Sequence, residues 1–194
     1  MKKQLLFSVL FCVSFSLFSQ SSDLLDFNKM RLKKTKIAMT VLGGWSVVNI
    51  GSGLILQANE TGEDRYFHQM NAIWNGVNLL IAGIGYIGAN RADPGSYNLA
   101  QTVNEYHKTQ KILIFNAGLD VAYMAAGFYL IELGNSRGTI KAQNQAKGWG
   151  KSIALQGGFL FLFDMTTAFL LSSDNPKLER LLSSVRFDGQ HLGL

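Results

Sequence analysis

Residues 69–89 read QMNAIWNGVNLLIAGIGYIGA, a stretch without Asp, Glu, Lys or Arg. As a helix rising 1.5 Å per residue it covers about 30 Å, the thickness of a bilayer's hydrocarbon core. Its polar residues are not scattered. Asn71, Asn75 and Asn78, with His68 just ahead, recur at i, i+3, i+7 and i+10 and form a stripe down one helix face. A helix at a water-facing surface carries charge on its outer side, and this one carries none. The stretch predicts a membrane-spanning helix whose amide face meets other helices rather than lipid.

Three further runs repeat the pattern. Residues 37–57 (IAMTVLGGWSVVNIGSGLILQ) are uncharged, residues 112–132 hold Asp120 inside, and residues 151–171 hold Asp164 inside. Together they predict an all-α integral membrane four-helix bundle over residues 37–172. Small residues at four-residue spacing, Gly150-x3-Ala154-x3-Gly158 and Ala72-x3-Gly76, predict close helix packing. Across the 194 residues 47% are hydrophobic and only 16% charged, against roughly 25% in soluble domains. That balance argues against disorder and against a soluble catalytic domain. Cys12 is the single cysteine, which excludes an internal disulfide framework and a cysteine-based zinc site.

The chain ends have their own patterns. Residues 1–20 open with Lys2 and Lys3, continue through an apolar stretch of about 14 residues and finish at small Ser19, the layout of a signal peptide. An uncleaved anchor is the alternative. Bulky Phe11 before Cys12 argues against a lipoprotein acceptor. Residues 21–36 form a basic juxtamembrane segment (Lys29, Arg31, Lys33, Lys34, Lys36), read as facing lipid headgroups rather than nucleic acid. The loops expected between spans are residues 58–68 (acidic), 90–111 (with an Asp93-Pro94-Gly95 turn) and 134–150 (basic). In the tail, residues 173–194, Leu178, Leu181, Leu182 and Val185 share a helix face, which predicts a short amphipathic helix on the membrane surface; folding onto a partner is the alternative. One end of the bundle carries more Lys and Arg than the other, which places the N-terminal side in the cytoplasm, whereas a cleaved signal would deliver it outside. The two rules conflict.

Inside the spans, Asn49, Asn71, Asn75, Asn78, Asn116, Asp120, Tyr123, Gln156 and Asp164 form the candidate intramembrane polar network. Counting in from the span ends puts Asp120 and Asp164 at one depth, and Asn49, Asn75 and Asn78 about four residues deeper. A charged carboxylate at the bilayer centre costs roughly 2.5–3.5 kcal/mol or more. Two together require a shared proton, a bound cation or a water-filled cavity. A structural hydrogen-bond network of protonated Asp, Asn and Tyr123 is the competing account.

Other motifs carry less. Trp45-x3-Asn49 and Trp74-x3-Asn78 echo each other and suggest spans built on one template. Asp64 and His68, near Glu60 and Glu63, have a metal-like i, i+4 spacing, but an acidic hairpin is the plainer account. Gly83-Ile-Gly85-Tyr-Ile-Gly88 spells the dinucleotide fingerprint without the strand and following helix that the chemistry needs, so close packing is expected there. No Ser-His-Asp, HExxH or P-loop arrangement is present, and no cofactor is expected.

The ending Phe18-Ser19-Gln20, the run from His68 to Asn78, Gln156-Gly157-Gly158 and Asp164 resemble an uncharacterised family, a domain of unknown function, of small four-span membrane proteins of Bacteroidota. The resemblance covers most of residues 21–175 and rests chiefly on the span-two run. It implies a bacterial membrane location and no activity. The expectations are therefore a multi-pass protein of a bacterial inner membrane, with lipid and a membrane-protein partner or second copy as partners. A structural or interaction role comes first. A small proton- or cation-linked transporter using Asp120 and Asp164 is the alternative, and an intramembrane enzyme comes last.

Overall fold

The computed structural model describes residues 2–191, with side chains for residues 22–183. The expected leader and the end of the tail, with Val185, lie outside the residues whose side chains are described. Five α-helices follow one another: α1 (Lys2–Asn59), α2 (Gly62–Arg91), α3 (Leu99–Asn135), α4 (Ile140–Ser172) and α5 (Asn175–His191), with a single 3-10 turn at Pro94–Ser96. No strand occurs among the described residues. Four of these helices are long and apolar enough to cross a membrane.

The connections are far shorter than the sequence suggests. Only residues 60–61 separate α1 from α2, and only residues 136–139 separate α3 from α4. Most of the expected 90–111 loop is helix: α3 starts at Leu99, fixed by a reciprocal cap in which Asn98 and Gln101 exchange side-chain-to-backbone hydrogen bonds of 2.9 Å. The polar composition of these stretches marks helix that continues past the apolar runs, not helix ending.

The helices pack in the spatial order α1–α2–α4–α3, with α1 touching α3 and α4 only sparsely. Polarity is inverted relative to a water-soluble bundle. On α2 the buried residues are Asn71, Asn75, Asn78, Ala82 and Ala89, while Ile73, Val77, Leu80 and Ile84 are exposed. On α4 Gln156 and Asp164 are buried while Leu162 and Phe169 face outward. An aliphatic exterior over an amide interior is the arrangement that a lipid surround favours.

Small residues set the closest approach. A Cβ placed on Gly127 would lie 2.6 Å from the Gly150 carbonyl and the Ala154 backbone nitrogen, so the α3–α4 crossing needs glycine. At Gly53 an added Cβ would meet the His68 carbonyl at 2.7 Å and Ala72 at 3.1 Å. The expected spacing motifs are thus half right. Gly150 and Ala154 meet α3 and Ala72 meets α1, but Gly76 faces open space, and Gly157 rather than Gly158 makes the tight contact with Asp120 and Met124. Of the fingerprint glycines inside α2, only Gly85 abuts a neighbour, Met39; Gly83 and Gly88 have nothing near them.

At one end the chain builds a small head from the start of α1, the start of α3 and α5. Phe27, Tyr106, Leu171, Leu178 and Leu181 form its core. Asn28, fully buried, donates to Thr102 Oγ1 at 2.8 Å. The Tyr106 hydroxyl lies 2.5 Å from the Leu171 carbonyl and 2.7 Å from Asn175 Oδ1. Two expectations change here. The apolar face of α5 at Leu178 and Leu181 is covered by protein rather than by a membrane surface, leaving Leu182 exposed. The basic segment is also partly consumed: Arg31 is buried with its guanidinium 4.8 Å above the Tyr97 ring, and Lys34 pairs with Asp174 at 2.5 Å.

Candidate functional site

The polar interior has two parts along the bundle axis. The first is an amide cluster where α1, α2 and α4 meet. Gln156 is fully buried; its Oε1 accepts from the Trp45 indole at 2.9 Å, and its Nε2 donates to Asn71 Oδ1 at 3.0 Å and Asn49 Oδ1 at 3.3 Å. Ser152 Oγ donates to the same Asn71 oxygen at 2.7 Å. The Asn49 amide turns back to the Trp45 carbonyl at 2.9 Å. Trp45 also stacks on Phe159 with ring centroids 3.9 Å apart. The cluster ties three helices together.

The second part lies deeper along α2 and α4. These helices run parallel, so Asn78, seven residues past Asn71, and Asp164, eight past Gln156, fall within about 2 Å of one level. Asp164 and Asp120 face each other across the α3–α4 contact within hydrogen-bonding reach, and both are buried. Here polar demand exceeds supply. Asn75 Oδ1, Asn78 Nδ2 and Asp120 Oδ2 are buried without a hydrogen-bond partner. Buried polar atoms in folded proteins are overwhelmingly paired, so these three orphans in the interior require an explanation.

Seven of the nine expected network residues are buried: Asn49, Asn71, Asn75 and Gln156 in or beside the amide cluster, and Asn78, Asp120 and Asp164 further along the bundle. Two are not. Asn116 is half-buried and makes no hydrogen bond among the described residues, and Tyr123 is exposed with its ring edge-on to Trp74, centroids 4.9 Å apart. The α1–α2 contacts place Asn49 level with Asn75, as the depth estimate has it, with Asn78 about one turn further along α2, while the Asp120 backbone lies against Gly157, below Asp164 on α4. Trp45, Ser46 and Ser152 belong to the interior and were missed; Ser152 sits on the stripe of Gln156 and Asp164 at i, i+4 and i+12, a period that could have revealed it.

At the other end of the bundle, Glu63 pairs with Lys151 at 2.6 Å and Lys147 at 3.8 Å, which gives the acidic hairpin a structural partner. Among the described residues no group of three or more His, Cys, Asp or Glu is placed to hold a metal ion.

Fold and site together define an all-helical protein with four membrane-length helices and an interior of amides and paired carboxyls. The chain belongs to the Family of unknown function (DUF6992), which it matches over residues 41–165. That span takes in every residue of both polar parts and the α3 portion of the head, and leaves the head's α1 and α5 portions outside. No curated protein and no solved structure is detectably similar to the chain.

Proposed function

We propose that this is a multi-pass protein of a bacterial inner membrane in which the Asp120–Asp164 pair takes up and releases a proton or a small cation. One observation carries the reading: two juxtaposed buried carboxyls, one of them with an unpartnered oxygen, with no Lys or Arg deeper in the spans than Lys151 at their edge. Two ionised carboxylates repel, and each alone is costly in the bilayer. A proton shared between them, or a cation held by both, removes the penalty. Asn78, whose amide hydrogens are unspent, then donates to a carboxylate or to water accompanying the ion. The amide cluster around Gln156 holds α1, α2 and α4 in place while the carboxyl pair changes state.

Proteoliposomes with an internal pH dye test this. Wild-type protein should respond to an imposed proton, sodium or potassium gradient. Asp120→Asn and Asp164→Asn, each made singly, should lose the response while retaining their elution profile in mild detergent. A second reading, a structural or interaction protein, is supported by the amide cluster, whose side chains spend their hydrogen bonds on one another across three helices. Under it both Asn variants behave as wild type, and a membrane-protein partner or second copy co-purifies.

A further inference from the structure

The acids of the interior have no base to meet. Residues 37–59, 69–90, 112–131 and 152–173 contain no Lys, Arg or His, and Asp120 and Asp164 are their only acids. The other ionisable groups in these stretches, Tyr86, Tyr123 and Tyr129, are exposed on the outside of the bundle. From α1 and α2, then, nothing titratable faces the pair, and α3 and α4 bring one carboxyl each. The two are buried and lie within hydrogen-bonding reach of each other. Ionised carboxyls carry lone pairs and no hydrogen, so two of them cannot bond directly. They make that contact in a dry interior only when something positive lies between them.

The surroundings select what that is. A hard cation taken out of water is held by about six oxygens or more. Two carboxyls supply four at most, and mid-helix carbonyls are spent on the N–H groups four residues on. The neighbouring side chains add little. Ala117 and Ala168, one turn from the two acids toward the head, are buried, and Gly157 lies against the Asp120 backbone and Met124. The Thr167 hydroxyl, a turn from Asp164, donates to the Phe163 carbonyl, and Tyr123 turns its ring to Trp74. Among the described residues no third acid or histidine joins the pair. A proton needs no such shell, because one donor oxygen and one acceptor oxygen hold it.

We infer that the ligand of this pair is the proton and not a metal cation, Asp120 and Asp164 sharing it through an O–H···O bond. The inference rests on the ion-handling reading above and narrows it to one substrate. Infrared difference spectroscopy on full-length protein in liposomes tests it by reading the C=O stretch of a protonated carboxyl. Starting from about pH 6, where exposed carboxyls are already ionised, stepping the pH upward should remove an acid band. Adding sodium, potassium or magnesium chloride at fixed pH should leave that band unchanged. Asp120→Asn and Asp164→Asn, each made singly, should shift or abolish it. Should an Asn variant fail to assemble, the cation step on wild type decides alone: a band erased by any of the three salts overturns the inference. So does the absence of an acid band, or one that stays unaltered in both variants. The spectrum reads protonation whether or not anything moves. An acid band with silent proteoliposomes keeps the proton and removes the transport reading, whereas a sodium response with no band removes this inference alone.

Discussion

Gln156 stands where α1, α2 and α4 come together, accepting from Trp45 and donating to Asn49 and Asn71. Replacing it with leucine removes three interhelical bonds and leaves the indole and the Asn49 carbonyl unpaired in a dry interior. Interhelical bonds in membranes average about 0.6 kcal/mol, so Gln156→Leu should cost about 1–2 kcal/mol, read as a lower thermal midpoint in detergent. The two residues outside the network give the opposite result. Asn116→Leu and Tyr123→Phe should stay within about 0.5 kcal/mol of wild type in the same assay and leave any gradient response intact; a loss at either would bring it back into the site. The sequence marks the asparagines and aspartates because a polar residue in an apolar run is conspicuous. It does not distinguish Asn116, which shares composition but not direction. It hides Trp45, whose single polar atom sits at the edge of an apolar ring and makes the indole look like an interfacial anchor.

The helices themselves are set by glycine at their crossings and by capping residues at their ends. Gly127→Val forces a side chain into the Gly150 carbonyl and should destabilise the α3–α4 pair by about 1–3 kcal/mol, seen as faster proteolysis at the 136–139 turn. Gly88→Ala, where an added Cβ meets nothing, should be neutral or stabilising by up to about 1 kcal/mol; if it proves as harmful as Gly127→Val, the lateral packing described above is wrong. Hydrophobic run length reveals four spans but not where the helices stop, because residues 99–111 and 140–150 have the composition of loops. The Asn98-x-x-Gln101 pattern is a signature of a helix start, and the expectation of a loop over residues 90–111 passed over it. The tight pairing of Gly127 with Gly150 was not legible, since spacing names candidate small residues on one helix without naming their partners on the next.

For the molecule as a whole, the sequence allows an inverted bundle but says nothing of the head. Its key polar residues, Asn28, Thr102, Tyr106 and Asp174, lie in segments that read as tail and loop. The head end carries the larger share of cations, including Lys33, Lys36, Lys111 and Arg180, against Arg65, Arg137, Lys141, Lys147 and Lys151 at the other end. The charge rule alone predicts a cytoplasmic head, against a signal-directed start. In a Cys12→Ser background, Asn104→Cys on the exposed flank of α3 should react with a membrane-impermeant maleimide only after cells are opened. Ser136→Cys in the opposite turn should react in intact cells. The reverse pattern would put the head outside and favour a signal-directed start.

α1 passes from the head into the bundle without a break, and it is fastened at two heights: Asn28 to Thr102 and Asn49 to Gln156. Those asparagines are about 32 Å apart along the axis and within about 60° of the same side. A rod pinned twice on one flank can neither spin nor slide unless both pins let go together. Whatever grips the head therefore has mechanical purchase on Trp45 and its neighbours in the bundle, with no joint between to absorb the motion.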